Sequence, residues 1–182
     1  MRYRWWLAIA FCLFAVGMVL GLTLAGELSG FLAQDIAVLK ELAASLGPFK
    51  ISTAFFILLK NVTALLFSFI FSPILCLTPV LSLTVNGGLL SFISALVVQE
   101  RSLGFVLLAI LPHGVFEIPA LIIGGAASLS FGVAAMLAVV SPRKREQLLP
   151  NLKKNLRYLI IAGILLVPAA IIETFITPLL VS

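Results

Sequence analysis

Apolar residues fill five long stretches of the chain, and short polar segments separate each stretch from the next. Four of these stretches, at about 5–25, 51–71, 80–98 and 159–180, are close to the roughly 20 residues that an α-helix needs to cross a bilayer. The fifth, 102–140, is longer than one straight crossing requires. This pattern predicts an all-α polytopic membrane helix bundle with about five spanning helices, forming a single transmembrane domain over 1–182.

The long fifth stretch contains Pro112-His113-Gly114, which we interpret as a break in the helix. Residues 102–111 alone would form a helix of about 15 Å, half the thickness of the hydrocarbon core. A half-helix of this length is typical of a re-entrant segment, which enters the membrane and turns back. We therefore predict one re-entrant half-helix broken at Pro112-His113-Gly114, with Pro119 shortly after the break.

Small residues recur at intervals of four in several of the predicted helices. Such spacing lets two helix backbones approach closely, because no large side chain separates them. The adjacent pair Gly87-Gly88 either loosens its helix or lets another backbone come close. The residues spaced by four are Gly17, Gly21 and Ala25, and Gly124, Ser128 and Gly132. They indicate packing seams that are filled either within one bundle or by a second copy in a homo-oligomer, and the sequence leaves both alternatives open.

Two polar segments have an amphipathic pattern. Residues 26–50 have leucines at helical spacing beside charged residues, which predicts an external amphipathic helix that lies at the membrane interface or caps the bundle. Residues 141–158 form a basic amphipathic loop, for which we predict cytoplasmic anionic lipid headgroups as the partner, with a docked protein as the alternative. Its cations are Arg143, Lys144, Arg145, Lys153, Lys154 and Arg157. The positive-inside rule then predicts a multi-pass protein of the cell membrane with a cytoplasmic N-terminus and an external C-terminus.

Composition supports this interpretation and excludes several classes of protein. The chain has 182 residues, of which 62% are hydrophobic and 10% charged, whereas soluble domains have about 25% charged residues. The net charge is +5, but the cations are scattered, so we expect no nucleic-acid partner. No nucleophile elbow, pair of intramembrane aspartates or phosphate-binding loop is present, and we expect neither an enzyme nor a cofactor.

Ionisable and amide side chains lie inside the apolar stretches, where each is costly. They are Lys60, Asn61, Asn86, His113, Glu117 and Glu173. Counting along the predicted helices places all of them in the outer half of the membrane, so we expect one shared cluster. The cluster is interpreted as a purely structural polar core or as a site for an ion or small polar solute. His113, Glu117 and Glu173 are weaker candidates for metal ligands.

The stretch Leu111-Pro112-His113-Gly114-Val115-Phe116-Glu117-Ile118-Pro119-Ala120 resembles the signature of the stage II sporulation protein M family of integral membrane proteins. Lys60-Asn61, Asn86-Gly87 and 172–178 resemble other recurrent stretches of that family in the same order. The resemblance runs from about Phe56 to the end and implies that the six polar residues form the functional or structural core. The founding member acts at the septal membrane of spore formers together with a pair of peptidoglycan-degrading proteins.

The resemblance implies a membrane scaffold or permease-like component of an envelope-remodelling complex, with membrane or envelope proteins as partners. The alternative is a transporter or channel that uses the buried cluster of lysine, histidine and glutamate.

Overall fold

The fold is given by a computed structural model that describes residues 2–31 and 47–181, with side chains described for 2–27 and 47–181. Every regular element in these ranges is helical. The helices are α1 (Tyr3–Phe31), α2 (Ile51–Ile70), α3 (Leu77–Glu100), α4 (Leu103–Val140), α5 (Pro142–Arg145) and α6 (Leu148–Ile171), followed by a π-helix (Ile172–Ile176) and α7 (Thr177–Val181). Five of the helical segments are long and apolar enough to cross a membrane, the last comprising α6 to α7. The prediction of an all-α bundle with five long apolar helices is confirmed.

The predicted re-entrant half-helix is wrong, because α4 runs without interruption from Leu103 to Val140. Pro112 and Pro119 both lie inside this helix. Each proline removes one backbone N–H, and membrane helices tolerate that loss where neighbouring helices and local adjustments satisfy the freed carbonyl. A helix of 38 residues is roughly 57 Å long, so α4 exceeds the hydrocarbon thickness without turning back.

Glycines hold α1 and α3 in backbone contact. A Cβ atom added to Gly17 would collide with the Thr84 carbonyl, and one added to Gly21 would collide with the Gly88 carbonyl. Gly87 on α3 is equally close to the Phe14 carbonyl. The packing seam predicted on the first helix is therefore filled by α3 of the same chain. Of the two alternatives for this seam, packing within one bundle is the one observed.

Helix α4 lies at the centre of the bundle and contacts α1, α2, α3 and α6. Its segment 124–130 is continuously buried and consists mainly of small residues. Gly124 lies against Leu65 of α2, Gly125 against Leu83 of α3, and Gly132 against the Ser72 carbonyl in the turn between those helices. The predicted packing seam of α4 is thus the segment against which α2, α3 and the turn between them pack.

The two polar segments have different outcomes. The amphipathic helix predicted for 26–50 falls mainly on residues outside the described ranges, although 26–31 continue α1 and 47–50 form the turn before α2. The basic segment 141–158 comprises the short helix α5, a turn at Glu146-Gln147 and the first three turns of α6. Arg145 donates from Nε to the Ala138 carbonyl at 3.1 Å, which satisfies a free carbonyl at the end of α4.

Candidate functional site

His113 and Glu117 lie one turn apart on the same face of α4. The Nε2 atom of His113 is 3.9 Å from the Oε2 atom of Glu117. The other ring nitrogen, Nδ1, lies 3.4 Å from the Thr177 hydroxyl of α7. When Nδ1 carries the proton it donates to Thr177, and Nε2 then directs its lone pair towards Glu117.

Glu117 is held by a second helix. Asn61 on α2 is buried and donates from Nδ2 to the Oε1 atom of Glu117 at 3.2 Å. This hydrogen bond fixes one carboxylate oxygen and leaves Oε2 turned towards His113. Asn61 and Glu117 are 56 positions apart in the chain, so the contact ties α2 to α4.

Glu173 reaches the same place from the π-helix that follows α6. One ligand atom from each of His113, Glu117 and Glu173 lies within 4.8 Å of the other two. A π-helix carries one additional residue per turn and changes the direction of the side chains around it, and such segments are frequent at functional sites. We name the set His113, Glu117, Glu173, Asn61 and Thr177 the polar cluster.

Two of the residues predicted to join the cluster lie differently. Lys60 is exposed on α2, and its ammonium group influences the Glu173 carboxylate electrostatically without an ion pair within 4 Å among the described residues. Asn86 donates from Nδ2 to the Ser82 carbonyl of its own helix at 2.7 Å, and among the described residues it forms no hydrogen bond to the cluster. Thus His113, Glu117, Glu173 and Asn61 come together, Lys60 lies at longer range, and Asn86 is separate.

The chemistry of the polar cluster follows from two carboxylates and one imidazole in a mostly apolar bundle. The side chains of His113 and Glu117 are 15% and 23% exposed. Two ionised carboxylates so close together repel each other where the dielectric constant is low, so a proton or a cation must offset their charge. The arrangement can therefore hold a proton, bind a cation, or simply link three helices by hydrogen bonds.

A second feature, which the sequence reasoning missed, is a groove at the opposite end of the bundle. Its volume is about 610 Å³, and it lies between the start of α1, the end of α4 and the start of α6. The polar lining includes Lys144, Gln147, Asn151 and Lys154, and Trp6 contributes an aromatic wall. The amphipathic pattern of 141–158 indicated that cations lie together here. Only the packing of α5 and α6 beside α1 and α4 shows that they line a groove.

The ring of Tyr3 closes the bundle just inside this basic end. It stacks on Tyr158 of α6 with ring centroids 3.6 Å apart, and its hydroxyl donates to the Ile123 carbonyl of α4 at 2.9 Å.

Asn155 of α6 is fully buried and donates to the backbone of Asn151, while its Oδ1 atom has no partner among the described residues. Tyr158 and Asn155 had no sequence signal beyond their place in the amphipathic stretch 141–158, and Tyr3, before the first apolar stretch, had none.

The sequence profile described as stage II sporulation protein M matches residues 10–178. The chain belongs to the stage II sporulation protein M family. The match covers all five apolar helices and the polar cluster, and it begins well before Phe56, where the resemblance of the motifs began.

A curated relative in Methanocaldococcus jannaschii, described as an uncharacterized protein, is 32% identical over 93 residues. The aligned part covers 51% of this chain and 51% of the relative, so the chain spans about half the length of the curated relative that it matches. No solved structure matches the chain.

Proposed function

We propose that this protein is a non-enzymatic membrane scaffold or permease-like component of an envelope-remodelling complex. Membership of the stage II sporulation protein M family supports the envelope role. The observation that carries the scaffold role is that side chains of the polar cluster link separate helices to one another. Asn61 binds Glu117, and Thr177 lies against His113, so α2, α4 and α7 are linked at one depth.

The carrier role is the second candidate, and one observation favours it. Three titratable side chains converge beside a π-helix and retain partial exposure, as a site for an exchanging ion requires. In this case the cluster would bind the transported species, and the carboxylate of Glu117 would have to keep its charge.

Ion flux through proteoliposomes separates the two roles. Purified wild-type protein and Glu117→Gln are reconstituted, and proton and cation flux is measured against empty liposomes. A scaffold gives no flux above the empty vesicles, and Glu117→Gln still supports normal envelope morphology in a deletion strain of the host. If the wild-type protein produces proton or cation flux and Glu117→Gln abolishes it, the scaffold role is overturned and the carrier role is established.

Glu146→Gln is the matched control for this experiment. It removes the same charge from an exposed side chain at the basic end of the bundle, away from the polar cluster. Flux that falls equally in both variants would indicate a general effect of charge rather than use of the cluster.

We propose that the basic end is cytoplasmic and lies against anionic lipid headgroups. Within the described ranges, eight cations belong to this end, at the start of the chain and on 143–157, against one acidic residue, Glu146. They are Arg2, Arg4, Arg143, Lys144, Arg145, Lys153, Lys154 and Arg157. This asymmetry supports a cytoplasmic location, because loops rich in lysine and arginine stay inside.

Labelling of single cysteines tests the orientation. Arg143→Cys and Arg101→Cys place a thiol at opposite ends of the bundle in a background with Cys12→Ser and Cys76→Ala. In intact spheroplasts a membrane-impermeant maleimide should label position 101 and leave position 143 unlabelled until the membrane is opened. The reverse pattern would invert the proposed topology.

A further inference from the structure

We propose that His113, Glu117 and Glu173 bind one divalent transition-metal cation of the Zn²⁺ class. The inference goes beyond both proposed roles, because a cation that stays bound would hold α4 against the π-helix, whereas a transported cation would pass through. The site consists of the imidazole Nε2, Oε2 of Glu117 and a carboxylate oxygen of Glu173.

The first argument is the orientation of the His113 and Glu117 side chains. His113 has Nδ1 engaged with Thr177, and Glu117 has Oε1 engaged with Asn61. Metal-binding histidines usually donate their second ring N–H to an oxygen, and ligating carboxylates are hydrogen-bonded in turn. In both residues the remaining atom, Nε2 or Oε2, turns towards the other ligand.

The second argument is charge. Two ionised carboxylates carry a charge of −2, and the exposed Lys60 forms no ion pair with either of them within 4 Å among the described residues. One divalent cation with two carboxylates and a neutral imidazole makes a site with no net charge. A neutral site avoids most of the cost of burying charge in an apolar environment.

The third argument is geometry. Bonds from Zn²⁺ to nitrogen and oxygen of about 2.0–2.2 Å place tetrahedral ligand atoms about 3.3 Å apart. One ligand atom from each of the three residues lies within 4.8 Å of the other two, so a closure of up to about 1.5 Å is needed. The long side chain of Glu173 can supply this by rotation about its own bonds. Three protein ligands leave a fourth position for water, as in open zinc sites.

The ligand set also limits which cations fit. Ca²⁺ and Mg²⁺ prefer sites built wholly from oxygen, whereas imidazole suits Zn²⁺ and related transition metals. The structure therefore assigns Zn²⁺ as the probe that should bind and Ca²⁺ as the probe that should not compete with it.

Metal binding is measured on the full-length protein in detergent after treatment with a chelator. Zn²⁺ affinity is obtained by competition with a fluorescent chelator, and stoichiometry by elemental analysis after desalting. We expect about one Zn²⁺ per chain, not displaced by excess Ca²⁺. We expect a loss of at least tenfold in affinity for each of His113→Gln, Glu117→Gln and Glu173→Gln, the size typical for disturbed metal sites.

Glu146→Gln is again the matched control, and its affinity should equal that of the wild type. Equal binding by the wild type and the three cluster variants would mean that Zn²⁺ is held elsewhere and would overturn the proposal. Absence of binding to the wild type at low micromolar Zn²⁺ would overturn it as well. Neither result bears on flux, so the proposed roles are tested separately.

A second measurement needs no variant and therefore does not depend on whether the variants fold. His113 is the single histidine of the chain, so histidine carbethoxylation by diethylpyrocarbonate, located by mass spectrometry, reports on this side chain alone. Mass spectrometry of wild-type protein should give a rate of modification at His113 that falls at least tenfold when Zn²⁺ is present. An unchanged rate under saturating Zn²⁺ would exclude the imidazole as a ligand.

Discussion

The backbone N–H of Phe49 donates to the carbonyl of Thr174 at 3.2 Å. Pro178 explains why this carbonyl is free, because a residue without an N–H cannot donate to the carbonyl four positions before it. The hydrogen bond attaches the turn before α2 to the π-helix that carries Glu173. The turn is itself in the left-handed region at Phe49, with φ of 60°.

Replacing Pro178 should release this attachment. In Pro178→Ala the new N–H can donate to Thr174 within the helix and compete with Phe49. Hydrogen exchange measured by mass spectrometry should become faster at the Phe49 amide. Pro168→Ala is the control, since the N–H that it adds faces the carbonyl of Ile164, which Phe49 does not use. Equal exchange at Phe49 in Pro178→Ala and wild type would contradict the explanation.

The glycine seam between α1 and α3 should tolerate no side chain. Gly21→Ala would place a methyl group against the Gly88 carbonyl, and the resulting overpacking should lower the free energy of unfolding by about 1–3 kcal/mol. Gly163→Ala, at a helical glycine with open space around it, should be neutral or stabilising. Unfolding in mixed micelles measures both, and equal stabilities would argue against close backbone contact.

Asn61 and Glu117 should be coupled energetically. A double-mutant cycle with Asn61→Ala and Glu117→Ala should give a coupling energy of about 0.6 kcal/mol and at most about 1.7, the range measured for hydrogen bonds between membrane helices. The same cycle with Asn86→Ala should be additive, because Asn86 donates within its own helix. Strict additivity in the first cycle would mean that the hydrogen bond contributes nothing.

Tyr3 should stabilise the basic end through its hydroxyl as well as its ring. Tyr3→Phe keeps the stacking on Tyr158 and removes the hydrogen bond to Ile123, so we expect a loss of about 1 kcal/mol in the free energy of unfolding. Tyr158→Phe preserves the same stack and should cost less. The prediction fails if the two substitutions are equally harmful.

The thiol of Cys76, in the turn before α3, should react slowly at mildly basic pH. Burial raises the pKa of this thiol, so less thiolate is present at pH 8 than for a free cysteine. In a Cys12→Ser background, the rate of maleimide labelling should rise with pH along a curve displaced to higher pH. Unfolding in detergent should return the curve to that of an ordinary thiol, and a folded-state curve already in that position would contradict the burial effect.

Several features follow from the sequence because they depend on local composition. Five apolar stretches of sufficient length predict five helices, and residues spaced by four predict shared faces such as that of His113 and Glu117. Small-residue spacing at Gly17 and Gly21 predicted a seam, since a missing side chain is visible without a structure.

Other features depend on contacts between distant segments. The break expected at Pro112 does not occur, because a proline costs a helix one hydrogen bond and the surrounding bundle decides whether that loss ends it. Depth alone suggested that Asn86 would join the polar cluster, yet depth does not specify the direction in which a side chain points, and its amide donates within α3.

The sequence by itself determined that the chain is a multi-helix membrane protein with costly polar residues in its apolar stretches, because hydrophobicity and helical period are local properties. Only the tertiary structure decided which of those residues meet. Helix rotation, the π-helix at Glu173 and the pairing of Asn61 with Glu117 arise from packing between segments that are 56 to 64 residues apart in the sequence.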